Sequence, residues 1–432
     1  MKENIKSVLL FALILFSLVQ SYLLAYSTPH FESINQTEYI ATQRIGTQEK
    51  AENLIYPAQL LLHFGDDTHT VFYPDATFYG LIYNILRERA FDGLRATNMH
   101  SVDWDLPRKN YKGIELRYLK GISLNMLHSI FSIKGDTLYD SQKINRIWIF
   151  IDGNQVVQTY FFDENQSTVY EISNTNITEK DVETFVGFGE YWKNSGNRYY
   201  TLDGSCYLPE KELDINQLRY SYTTISAEQM ENSLFADPGI TRNIQEKDGT
   251  QIYTDGKRGL QVQQNRLWML YSDSIAPVDG RFNESEELYT AVQFINQHGG
   301  WNGKYQFHSI RSSNREEGRE FMFRQLVRSF PESYPIISSG EDNFGYIRIV
   351  LQNGAVSEYE RSLIILDQKN DIKSSGSLPG GKQLEKMIAD YDKRYKIIAV
   401  IPAYRPVIAK DYVDLIPAWA VERDDGTFDF LK

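Results

Sequence analysis

The sequence predicts an α+β protein: mostly antiparallel sheets with helices packed on one face, preceded by an N-terminal transmembrane helix. Three observations lead there. The one continuous apolar run of the chain lies at its N-terminus, from Val8 to about Tyr26. Beyond it, hairpin turns recur, with Asp-Gly pairs starting at 152, 203, 248, 255, 279 and 425 and an Asn353-Gly354 pair. The 29 tyrosines and 23 phenylalanines suit strands with aromatic faces. A length of 432 residues allows two or three domains, at roughly 100–200 residues each.

The N-terminal run is about the ~20 residues that cross a hydrocarbon core. Lys2 and Lys6 precede it and the next basic residue is Arg44, so the charge bias places the N-terminus inside and the bulk outside. Ala25-Tyr26-Ser27 resembles a signal-peptidase site, but the apolar run is longer than a usual signal core, which favours an uncleaved anchor. The expected organisation is a cytoplasmic tail over 1–6, an anchor helix over 7–27, and extracytoplasmic α+β domains over 28–205, 206–310 and 311–432. Within the anchor, Ser17, Gln20, Ser21 and Leu24 fall on one helical face. A stripe of small and polar residues lets a second helix approach and bond across the interface. The plainer alternative is that Gln20 reaches the outer headgroups.

The outer elements follow in order. Residues 59–73 read strand, turn, strand, and Pro74-Asp75 opens a helix whose apolar face is Phe78, Leu81, Ile82, Ile85 and Leu86. Strands fill 113–162, with a hairpin turning at Asp152-Gly153-Asn154. Thr178 caps a helix through Val182, Phe185 and Val186. Ser226 and Gln229 form a capping-box pattern, and strands turning at Asp255-Gly256 follow. A helix starts at Asn283 or Ser285 and stops at Gly299-Gly300, before a strand over 305–310. A further helix is expected from Ser313 or Asn314, carrying Phe323, Leu326, Val327 and Phe330 up to Pro331. Next come a hairpin at Asn353-Gly354, a helix through Leu384, Met387 and Ile388, and closing strands. Residues 206–310 and 314–432 thus both read helix, hairpin, helix, strand, so the last two domains are expected to be similar to each other.

Candidate chemistry is sparse. The net charge of −12 disfavours nucleic acid as a partner. A single cysteine, Cys206, excludes an intramolecular disulfide and a multi-cysteine metal site, and reads as a small core residue. His63, Asp66, Asp67 and His69 are metal-ligating types, but Gly65-Asp66-Asp67 is first a hairpin turn, whose flanking residues need not converge. No GxSxG, HExxH or dinucleotide fingerprint occurs. No cofactor, metal or catalytic residue is expected.

The stretch LFADPGITRNIQEKDGTQIYTDGKRGLQV, residues 234–262, resembles the signature of the YycH family. The Leu-Phe-x-Asp-Pro opening, Asp248-Gly249, and the run Tyr253-Thr254-Asp255-Gly256 with Arg258-Gly259-Leu260 carry the resemblance. The closing Leu415-Ile-Pro-Ala-Trp419 is also similar to segments of this family and of its partner family, YycI. The resemblance implies a non-enzymatic membrane regulator of the WalK/WalR cell-envelope two-component system of Gram-positive bacteria, acting with a YycI-like membrane protein. It implies contact with a WalK-like sensor histidine kinase through transmembrane helices, a role that falls here on Ser17, Gln20, Ser21 and Leu24. The alternative is an anchored extracytoplasmic wall-ligand-binding protein or hydrolase, for which the anchor is interchangeable.

Overall fold

The computed structural model describes residues 45–432 apart from 135–136, 195, 203, 205, 264–266, 275–282, 314–317, 339–342 and 393. Before residue 45 it describes Lys6, Leu13, Phe16, Ser17, Val19 and Gln20, all helical. The chain forms two compact units, Met1–Ala41 and Thr42–Lys432. The second is a mixed α+β fold built on three sheets, antiparallel throughout except for one parallel strand pair at the edge of the first.

After a one-turn helix α1 (Ala51–Leu54), the first sheet opens with β1 (Gln59–Phe64) and β2 (His69–Phe72). The turn between them uses the left-handed conformation at Gly65 (φ 80°) and Asp67 (φ 58°). Helix α2 (Thr77–Arg87) and β3 (Ala90–Asn98) follow, then α3 (Asp105–Asn110), β4 (Lys112–Ser123) and α4 (Leu124–His128). Next come β5 (Ser132–Lys134), β6 (Lys143–Ile151), β7 (Val157–Asp163), β8 (Thr168–Thr175), α5 (Glu179–Asn194), β9 (Tyr199–Thr201) and β10 (Tyr207–Pro209). The ten strands run in the order β10-β9-β2-β1-β4-β6-β7-β8-β3-β5. Helix α5 starts at Thr178, whose hydroxyl accepts from the Asp181 N–H at 3.2 Å. Its face of Val182, Phe185, Val186 and Gly189 packs on β1 and β4.

β1 is buried at all six positions because both sheet faces are covered. Leu60, Leu62 and Phe64 join the core under the helices, whereas Leu61 faces Tyr207, Leu208 and Val71 in a second core. The buried face of α2 is Tyr79, Ile82, Tyr83 and Leu86; Leu81, expected inside, is 43% exposed. The two tyrosines bury their rings because their hydroxyls donate to Pro57 O at 2.6 Å and Ile55 O at 3.1 Å.

A short strand β11 (Leu213–Asp214) leads into β12 (Gln217–Thr224) and α6 (Ala227–Leu234). The second sheet then begins with β13 (Arg242–Gln245), β14 (Thr250–Thr254), β15 (Arg258–Gln263) and β16 (Trp268–Asp273). After α7 (Glu284–Gln297) it continues through β17 (Lys304–Ser312), β18 (Gly318–Ser329), β19 (Glu332–Pro335), β20 (Tyr346–Gln352) and β21 (Ala355–Ser362). Its order is β13-β14-β15-β16-β21-β20-β18-β17, with β19 on β18. The expected capping box is formed, Ser226 with Gln229 opening α6, and a second one, Asn283 with Glu286, opens α7. α7 lies on β20 and β21 and buries Leu288, Ala291, Val292 and Ile295. Each of its larger aliphatic side chains contributes ~1.5–3 kcal/mol when fully covered.

The third sheet is completed by β22 (Ile364–Ser374), β23 (Ser377–Leu378), α8 (Gly381–Asp390), β24 (Ile397–Ile408), β25 (Tyr412–Arg423) and β26 (Phe428–Phe430). Its order is β22-β12-β25-β24, β26 lies on β25, and β11 pairs separately with β23.

One expected helix is a strand. Residues 318–329 form β18, paired with β17, β19 and β20. Phe330, expected inside, is 75% exposed. The face actually shared by Phe321, Phe323, Gln325, Val327 and Ser329 has period two. The repeated order of helix, hairpin, helix, strand therefore fails at the start of its second copy. The sheets also cross the expected division at 310/311: β17 and β18 pair with each other, while β12 inserts between β22 and β25.

Candidate functional site

Ser17 and Gln20 are helical and exposed, three residues apart. That spacing puts them on one side of the helix. Ser21 and Leu24, the remaining members of the expected contact face, lie outside the described residues. Among the described residues no helix is long and apolar enough to cross a membrane.

In the outer unit the expected metal-like residues separate. Asp66 is a surface residue held by Lys193. Asp67 is exposed, with a carboxylate oxygen 4.0 Å from His69 Nε2. His63 and His69, which a hairpin turn alone does not oblige to converge, do so here, because they lie directly opposite each other across β1 and β2. Both are buried, with Nδ1···Nδ1 at 3.0 Å and His63 Nε2 3.1 Å from Glu115 Oε2 on β4. Glu115 also receives Arg117 Nε at 2.7 Å and lies 3.6 Å from Arg146 Nη1. Arg117 stacks over the Tyr207 ring at 4.7 Å, and Arg146 over the Phe162 ring at 3.7 Å.

The electrostatics favour neutral imidazoles beside an ionised Glu115. Burial lowers both histidines, and the neighbouring arginines reinforce it; His69 is held down to about 3. Burial opposes the charge on Glu115, but Arg117, Arg146 and the His63 hydrogen bond outweigh it and hold the carboxyl well below its usual range. A consistent assignment has His63 donating through Nε2 to Glu115, His69 donating through Nδ1 to His63, and His69 Nε2 bare. Neither the exposure nor the donor set makes a catalytic or metal centre, and no group of three or more His, Cys, Asp or Glu suited to a metal occurs among the described residues. The cluster is a polar core of the first sheet.

A second polar cluster joins all three sheets. Lys120 of β4 lies 3.0 Å from Glu422 of β25, and His308 of β17 lies 3.7 Å from the same oxygen. Burial raises Glu422 and lowers His308. A cleft of about 260 Å³ beside it is lined by Lys120, Glu164, Ser309, Arg311, Asp424 and Asp425, among others. Sequence reasoning missed Glu115, Arg117, His308 and Glu422, because charged residues alternating with apolar ones read as the wet side of a sheet.

The signature stretch builds scaffold. Leu234 and Phe235 are buried, and Asp237 accepts from the Gly239 N–H at 2.9 Å. Asp255 accepts from the Lys257 and Arg258 N–H groups, and Arg258 pairs with Asp273 at 3.0 Å. Cys206 is partly covered and packs against the core of the third sheet.

The model of the YycH protein C-terminal domain matches residues 203–431, and that of the YycH protein N-terminal domain matches residues 3–186. The chain is 21% identical over 453 residues to the two-component system WalR/WalK regulatory protein YycH of Bacillus subtilis (strain 168), covering 98% of this chain and 94% of that relative. The crystal structure of YycH from Bacillus subtilis superposes with a TM-score of 0.70 at 17% identity, over 90% of this chain and 99% of that one, so the two share a fold.

Proposed function

The chain belongs to the YycH family, and from that premise we propose that it is a non-enzymatic, membrane-anchored regulator of a WalK-type sensor histidine kinase. The observation that carries this reading is the end-to-end match to a relative named as a WalR/WalK regulatory protein. On this reading the protein sits in the cell membrane through one N-terminal helix, with its N-terminus cytoplasmic and its bulk outside, an orientation supported by the charge bias of Lys2 and Lys6 before the apolar run. Ser17, Gln20, Ser21 and Leu24 form the contact face for a kinase helix. An interhelical bond there contributes ~0.6–2 kcal/mol, enough to bias one kinase state over another if the two states pack differently against it. A YycI-like membrane protein completes the assembly, and the output is control of cell-wall metabolism.

Capture of the full-length protein from membranes tests this, alongside a variant carrying Ser17→Leu, Gln20→Leu and Ser21→Leu. A sensor histidine kinase accompanies the wild type and is lost or much reduced with the variant. Recovery of other membrane complexes without any kinase or YycI-like protein contradicts the reading.

A further inference from the structure

β19 is a four-residue strand where the three sheets meet. It pairs with β18 of the second sheet. Just beyond its end, Ile336 bridges to Tyr404 of the third sheet, and the Ile337 N–H donates to Tyr404 O at 2.9 Å. Toward the first sheet it grips the end of β2 and the turn after it. The Ser333 N–H donates to Pro74 O at 2.7 Å, and the Ser333 hydroxyl bonds to Asp75, which also pairs with Lys304.

Glu332 completes this grip. Its Oε1 accepts from the Tyr73 N–H at 3.1 Å, across the joint, and its Oε2 accepts from the Tyr334 hydroxyl at 2.6 Å. The titratable groups facing it are Tyr73 from the end of β2, Tyr199 from β9 and Tyr334 from β19 itself, all buried and all with phenols pushed up by burial. The charged groups on the adjoining surface are Asp75, Lys304 and Arg328. Asp75 and Lys304 are paired with each other. Glu332 thus holds a carboxyl among aromatic rings at a seam between sheets, in a residue that is half-buried as a whole.

We propose that the Glu332 carboxyl is a proton-operated latch, closing the first sheet onto β19 when neutral and loosening the joint when ionised. Burial lifts this carboxyl to about 7, against a usual value near 4.5, outweighing the Tyr334 and Tyr73 hydrogen bonds, which favour the ionised form. Because the closed joint raises the value, its stabilisation is fully present below about 4.5 and is lost as the pH rises through about 7. When neutral, the carboxyl donates to the Tyr334 oxygen and still accepts from the Tyr73 N–H. When ionised, it gains by opening the seam to water. This device stands independently of which partner the protein regulates.

Hydrogen exchange of the full-length protein in detergent tests the latch, comparing pH 5.5 with pH 8.0 after correction for the intrinsic rate. The segments to read are 70–76 and 332–336, with the β6–β7 hairpin as control. Protection of the joint segments relative to the control falls roughly tenfold or more at pH 8.0 in the wild type. In Glu332→Gln it changes less than twofold. A wild-type joint equally protected at both values overturns the latch whatever the variant does. So does an equal loss in both proteins, which assigns the opening to another group.

Discussion

His63 and His69 face each other across β1 and β2 as neutral rings, and that state has a cost in acid. A histidine lowered by folding takes up a proton on unfolding. Its contribution is therefore present above about 6.5 and fades as the pH falls toward the folded value, about 3 for His69. The slope is at most ~1.4 kcal/mol per pH unit for each such proton. Glu115, held low, loses its contribution in the same direction as the pH falls below about 4.5. Urea unfolding from pH 7 to pH 4 checks the point: His69→Gln shows a shallower acid slope than the wild type. Equal slopes would place the proton uptake elsewhere. Glu332 has the opposite sign, so its loss is read on the alkaline side. The sequence exposed the two histidines but not their meeting. Their convergence depends on the β1–β2 register, and that is set by the two positive-φ turn residues Gly65 and Asp67.

At the scale of elements, the legible pieces are those whose local chemistry agrees with their packing. The Ser226 capping box, the α7 start at Asn283, the Asp255-Gly256 turn and the α7 stripe stand where their patterns put them. Ser226→Ala and Asn283→Ala each lower stability by about 1 kcal/mol, seen as a shift of the urea midpoint with an unchanged slope. A shift near zero would mean that the exposed helix ends are satisfied by water alone. β18 was illegible for a specific reason. Its buried row includes the polar Gln325 and Ser329, which break the period-two signal, while Phe323, Leu326, Val327 and Phe330 happen to fall at helical intervals. Alternation hid in polar residues, and a false stripe took its place. α2 misled more mildly, since Tyr79 and Tyr83 are buried by virtue of hydroxyl partners on the α1–β1 connection that the helix sequence does not reveal.

At the scale of the whole molecule, the partition into sheets rests on pairings between residues far apart in sequence. β12 joins strands 140 or more positions later. Local periodicity carries no trace of such a partner. In the proposed function, regulation passes through the anchor, from Ser17, Gln20, Ser21 and Leu24 to a kinase helix. The most direct test reconstitutes the full-length protein with a WalK-type kinase in lipid vesicles and follows kinase autophosphorylation. The wild type is compared with the Ser17→Leu, Gln20→Leu, Ser21→Leu variant. The account predicts that the wild type changes the rate roughly three- to thirtyfold, the range set by one interhelical hydrogen bond, and that the variant leaves it at the level of the kinase alone. The same change with the variant, its outer region intact, would contradict it and move the regulatory contact to the extracytoplasmic sheets.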